Sequence, residues 1–263
     1  MILTRALTSF SRLPRFAALA LFCSVAIFAA GPAAHAALIN YGDFPVPSAG
    51  ITFQQVTESS GTDPVPLYGP PTSFVVGLDF NPASFVSSSS GGNADITDGQ
   101  LNFGVQGQTG PGGSVGISSF NLFESGDYSL LGAGTPATSV FAGAIITVTV
   151  SEINGLPVVP FNLPASNASV GFNLVANPGI AQPWNLGVGV PINLPIGQVA
   201  TKISVSVDNS LASISQPGTI AFIAKKDFRI TLTPSNPTIP EPGTLVLTAF
   251  GSMIALVYRR ARS

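Results

Sequence analysis

The strongest candidate for chemistry in this chain is the run Asn93-Ala94-Asp95-Ile96-Thr97-Asp98-Gly99. Oxygen-bearing side chains at nearly alternate positions, closed by Asp-Gly, are the raw material of a calcium loop, because Ca²⁺ takes six to eight hard oxygen ligands in a flexible cage. Asn93, Asp95 and Asp98 would be the ligands, with Asp79 or Asp43 reaching them across the fold. The spacing is not that of an EF-hand, and no bidentate Glu closes the run. Asp98-Gly99 ahead of an alternating segment is also a plain turn signal, and a solvated turn is the weightier reading. A structural calcium ion is therefore the one cofactor to look for. A second chemistry, glycoside hydrolysis, needs only a facing pair of carboxylates. The acids are scattered, mostly singly at strand ends or turns, and nothing in their spacing marks a pair.

The first 36 residues remove most other chemistries. Arg5, Arg12 and Arg15 precede an apolar stretch over 16–30, Gly31-Pro32 breaks it, and Ala34-His35-Ala36 supplies a small-x-small pattern. That is the layout of a secretory signal peptide, cut after Ala36. The single cysteine, Cys23, and the single histidine, His35, both lie within it. A mature chain starting at 37 has neither, so disulfides, Cys/His zinc sites and Ser-His-Asp or Cys-His nucleophiles each lose a required member.

Between 37 and 239 the only basic residues are Lys202, Lys225, Lys226 and Arg229, against eleven acids, a formal charge of about −7. Nucleic-acid binding needs a cationic stripe, and none is present. Charged residues are 8% of the chain, against roughly 25% in ordinary soluble domains. Hydroxyl, amide and glycine residues carry the surface instead, the texture of an exported surface domain.

The segment 238–263 has three physically distinct pieces. Pro240-Glu241-Pro242 holds one carboxylate on a stiff, non-helical stub, since proline fixes φ and biases its predecessor toward extended backbone. The uncharged run 243–258 follows; as a helix it would satisfy its own backbone in lipid. Arg259, Arg260 and Arg262 stop it at the cytoplasmic face. The order Pro-Glu-Pro, apolar run, arginine cluster resembles the PEP-CTERM sorting signal of exported bacterial proteins, over about a tenth of the chain. The resemblance implies handling by the membrane enzyme exosortase, which reads Pro240, Glu241 and Pro242 as substrate. It also implies association with envelope exopolysaccharide or biofilm.

The elements that must position any site are strands. Apolar residues recur with period two at Leu101, Phe103 and Val105, at Ile146, Val148 and Val150, at Val170, Phe172 and Leu174, and at Ile203, Val205 and Val207. The same holds for Phe228, Ile230 and Leu232, and for Phe74 to Phe80 read as one strand. Further strands are expected over 38–44, 51–57, 117–124, 186–190 and 219–224, ten or eleven in all. The stretches 87–92, 107–113 and 177–194 read as long, soft loops, the last carrying Trp184, either a core plug or a sugar-stacking residue. No 3.6-residue period is sustained. The expected fold is all-β: a single antiparallel β-sandwich, jelly-roll-like, over 37–233. It is flanked by the signal peptide (1–36), a Pro-rich linker (234–239) and the sorting segment with its transmembrane helix (240–263).

Function follows as an expectation. The chain reads as a non-enzymatic, exported cell-surface or matrix protein. Its partners would be the Sec translocon, signal peptidase, exosortase, the inner membrane through the C-terminal helix before processing, and extracellular polysaccharide. An adhesin binding carbohydrate or another partner is the alternative, and a secreted glycoside hydrolase a third.

Overall fold

A computed structural model describes residues 38–110 and 113–235. The segments holding Ala34 and Ala36, Pro240, Glu241 and Pro242, and Arg259, Arg260 and Arg262 lie outside the described residues. All of the described residues belong to one compact unit.

In chain order the strands are β1 (Ile39–Val46), β2 (Ile51–Ser59), β3 (Thr72–Phe74), β4 (Gly77–Phe80), β5 (Val86–Ser90) and β6 (Ala94–Gly107). The short β7 (Thr109–Gly110) and β8 (Gly113–Ser114) come next, then β9 (Gly116–Gly132) and β10 (Ser139–Ile153). The remainder are β11 (Leu156–Asn162), β12 (Ser166–Asn173), β13 (Gly179–Pro191), β14 (Ala200–Ile214) and β15 (Thr219–Ser235). One 3₁₀ turn, Pro47–Ala49, joins β1 to β2, and no α-helix occurs among the described residues.

Every pairing is antiparallel, and the strands form two layers. One runs β1-β2-β6-β14-β10, with β11 and β12 sharing the far edge of β10. The other runs β13-β9-β15, with β5 and β4 sharing the far edge of β15 and β3 outside β4. The layers meet at a single bridge, Ala200 with Ile117, which makes the whole a nearly closed antiparallel sheet. Between them lies one core. Phe53, Leu101, Phe103, Val105, Ile146, Val148, Ile203, Val205 and Val207 face it from the first layer. Phe120, Leu122, Leu130, Ala221, Ile223, Phe228 and Ile230 face it from the second. The all-β, antiparallel expectation holds, because period-two alternation puts each apolar set on the pleat's inner side.

Several local expectations are corrected. Asp98-Gly99 is no turn: both residues sit inside β6, paired with Ser210 and Asn209 of β14. Gly99 is needed for room rather than for bending, since a Cβ there would come within 2.6 Å of Phe85 and 2.9 Å of Tyr68. The serines of 87–92 form β5, and only Gly91 and Gly92, with φ of 68° and 96°, make the turn. The stretch 177–194 is mostly β13, thirteen residues of which eleven pair along β9. Trp184 within it is 3% exposed and donates Nε1–H to the Ala224 carbonyl at 3.1 Å, so it plugs the core and does not stack on a sugar. Residues 74–80 are a hairpin of β3 and β4 rather than one strand. The segments 219–224 and 228–232 are one strand, β15, interrupted by a bulge at Lys226.

Candidate functional site

The outer face of the first layer carries a half-open groove of about 620 Å³. It follows from alternation: with Leu101, Val207 and Ile146 turned inward, the intervening residues must face out. Register then lines them up in rows across the strands. One row runs Gln100, Asp208, Ile145, Asn167, and the next runs Asp98, Ser210, Gly143, Ser169. Phe141, 41% exposed, lies beside them on β10. Its ring covers Gly143, where an added Cβ would stand 2.8 Å from Phe141 Cε1, so the missing side chain makes room for the ring. Ser59, Ser60 and Gly61 close one end. No basic residue lines the groove. A second hollow of about 340 Å³, lined by Gln55, Asn102, Thr147 and Ser204 among others, continues the polar face.

The groove brings carboxylates nearer than the sequence suggested. Asp98 and Asp208 are diagonal neighbours on β6 and β14, on the same face. Burial raises the Asp98 carboxyl above its ordinary value, and the charges of Asp208 and then Asp63 push the same way. The Asp98 backbone N–H donates to Thr62 Oγ1 at 2.7 Å, which ties the strand to the loop after β2.

The three residues expected to hold calcium are not gathered. Asp95 faces β5, where its Oδ2 accepts from Ser88 N–H at 2.8 Å. Asp98, three residues on, faces the groove on the opposite side of the pleat. Asn93 sits in the turn and donates its side-chain N–H to the Ser90 carbonyl at 2.9 Å. Asp43 accepts from Gln55 N–H at 2.7 Å, and Asp79 lies 3.2 Å from Arg229. No group of three or more His, Cys, Asp or Glu side chains is placed to hold a metal ion among the described residues.

Beneath the groove, on the inner side, lies a polar cluster that the sequence reading missed. Lys225 of β15, Glu124 of β9 and Asn209 of β14 are all buried, at 1%, 0% and 2% exposure. Lys225 Nζ lies 2.7 Å from Glu124 Oε2 and donates a short hydrogen bond to Asn209 Oδ1. By strict geometry neither Glu124 carboxylate oxygen nor Asn209 Nδ2 has an aligned hydrogen bond, although Lys225 and Asn209 both lie close enough to hold the Glu124 pKa down against burial. Aromatic rings box the ammonium in: Phe85 at 4.4 Å, Phe228 at 5.2 Å and Tyr68 at 5.6 Å from ring centroid to Nζ. Tyr68 is fixed in turn by donating its hydroxyl to the Gly99 carbonyl at 2.8 Å. Its backbone N–H donates at 3.1 Å to buried Glu58, which also accepts from Tyr41 Oη at 2.6 Å. Burial lowers the Lys225 pKa, opposed by the Glu124 charge, and burial raises that of Glu124, opposed by Lys225. Both shifts push toward the neutral amine and neutral acid, because desolvation disfavours each charge.

A signal for this cluster was present. Glu124 continues the phase of Phe120 and Leu122, Asn209 that of Val205 and Val207, and Lys225 that of Ala221 and Ile223. Each is a polar residue at a core position of its strand.

No family model matches the chain, and no curated protein is significantly similar to it. Among solved structures, the chain is similar to the enzymatically active domain of tailspike protein 4 of bacteriophage CBA120 at 12% identity and a TM-score of 0.19, covering 71% of this chain and 20% of that one. A second is a structure of infectious bursal disease virus, Gt strain, at 12% identity and a TM-score of 0.13, covering 81% and 57%. The chain thus spans only part of each, and scores this low carry no argument.

Proposed function

We propose that this chain is a non-enzymatic, exported cell-surface or matrix protein whose β domain binds a neutral polysaccharide strand along the outer groove. The observation that carries the reading is the lining of that groove. Amide, hydroxyl and carboxylate groups stand in rows beside one exposed ring, Phe141, without a cation among them. Sugars offer hydroxyls to such groups and a C–H face to an aromatic ring, whereas an acidic polymer would meet Asp98 and Asp208 unscreened. Export through Sec with cleavage after Ala36, and sorting by exosortase at Pro240, Glu241 and Pro242, belong to the same reading. The first rests on the residue layout of 1–36, the second on the resemblance of the segment 238–263. The jelly-roll-like description also belongs here, supported by the pairs β6–β14, β9–β13 and β10–β12.

The test is affinity electrophoresis of the domain through gels containing neutral or acidic polysaccharides. Retardation by a neutral polymer, weakened about ten-fold or more in Phe141→Ala and Gln100→Ala at unchanged melting temperature, is expected. No retardation by any neutral polymer, or retention unaltered in both variants, would discard the groove. Steady release of reducing ends, lost in Asp98→Asn, would favour the hydrolase instead.

A further inference from the structure

We propose that Lys225 and Asn209 become joined by an intramolecular amide bond from Nζ to Cγ, with Glu124 moving the protons. The argument starts from what the buried cluster lacks. A buried ion pair normally persists because hydrogen bonds satisfy its remaining polar atoms. Here Glu124 Oε1 and Asn209 Nδ2 have no bond of good geometry, although both are sealed from water. A side-chain amide held against the amine by a short bond, with a buried carboxyl beside both and no well-made bond to its nitrogen, is arranged as an acyl donor rather than as a structural bridge.

The three residues supply everything that aminolysis requires. Proton transfer across the 2.7 Å contact leaves Lys225 as a neutral amine and Glu124 as a carboxylic acid, the forms that the apolar aromatic box favours. The short bond from Nζ to Oδ1 holds the amine beside the carbonyl; once neutral, its lone pair turns to attack Asn209 Cγ. Glu124 takes a proton from the new Nζ–Cγ adduct and delivers one to Nδ2. The Cγ–Nδ2 bond then breaks, and ammonia leaves. One amide is exchanged for another, so no oxidant or co-reactant is needed. Asn209 Nδ2 is sealed on the inner side of the layer, so the ammonia, small and neutral, leaves through local opening of the domain. The product would join β14 of one layer to β15 of the other, in described residues that contain no cysteine.

Tryptic mapping of the full chain, purified from cells that express it, decides the matter. No Lys or Arg occurs between Lys202 and Lys225, so Asn209 and Lys225 fall within one peptide. A linked chain yields residues 203–226 lighter by one ammonia, about 17 Da, uncut after Lys225 and without backbone fragments between 209 and 225. Asn209→Ala should restore cleavage after Lys225 at the full expected mass. Glu124→Gln should cut the linked fraction about ten-fold or more, the scale of one acid–base group. Wild-type peptide 203–225 released at full mass would overturn the proposal. Undiminished linkage in Glu124→Gln would overturn the role given to Glu124.

Discussion

At the scale of single residues, the polar side chains of this domain work under opposite constraints on the outer face and in the core. Asp98 faces out beside Asp208 and titrates above the ordinary carboxylate range, burial being the main cause. A carboxyl with a higher pKa in the native state than in the unfolded chain takes up protons more readily when folded. Its contribution to stability is present below the ordinary carboxylate pKa and is lost as pH rises through the raised value. Ionised Asp98 therefore opposes folding at neutral pH. Asp98→Asn should raise the melting temperature at neutral pH and give no gain in acid, below the ordinary carboxylate range, by differential scanning calorimetry at both. A gain of equal size at both pH values would show that the charge is not the cause. Glu124, Lys225 and Asn209 face the other way, and their types are what made them hard to read. Charge composition alone places Lys, Glu and Asn on the surface; only their phase within Phe120–Leu122–Glu124 and Val205–Val207–Asn209 points inward.

At the scale of elements, alternation found most strands and missed what interrupts them. Period two locates β6, β10, β14 and the second half of β15 because each carries an unbroken apolar phase. It fails where the phase slips. In β15 the inward set changes from Ala221, Ile223 and Lys225 to Phe228, Ile230 and Leu232, and the shift is absorbed by an extra residue between Lys225 and Asp227. Read without the bulge, this is two strands. Asp98-Gly99 and 177–194 show the contrast: turn-forming residues there are overruled by long partner strands, β14 and β9, which pair without a break along 94–106 and along 182–191. A sharp expectation follows for Lys226. Its side chain is 64% exposed and pairs with Asp127, so Lys226→Ala should change stability by about 0.5 kcal/mol or less. Deleting Lys226 would instead bring Lys225 and Phe228 two residues apart, so that β15 runs as one regular ladder with Phe228, Ile230 and Leu232 still facing in, and the chain should keep cooperative unfolding by circular dichroism. Loss of cooperative unfolding in the deletion variant would mean that the bulge does more than absorb the change of phase.

At the scale of the whole molecule, a nearly closed pair of layers with few charges offers binding that does not rely on electrostatics. With no cation in the groove, polysaccharide retention should vary less than about two-fold between roughly 0.05 and 0.5 M NaCl, since screening has little to act on. A steep loss with salt would point to a charged ligand or another surface. The order of the strands also decides how the domain meets traction. Ser235 is the last residue of β15, and β15 is gripped along its length by β9 on one edge and by β4 and β5 on the other. β1, at the opposite end of the described chain, is a rim strand held by β2 alone. Tugging from the β1 side would peel bonds one at a time, like a zipper. Tugging from Ser235 must shear two ladders together. A protein moored at that end would resist being torn from its anchorage far longer than one moored at the other.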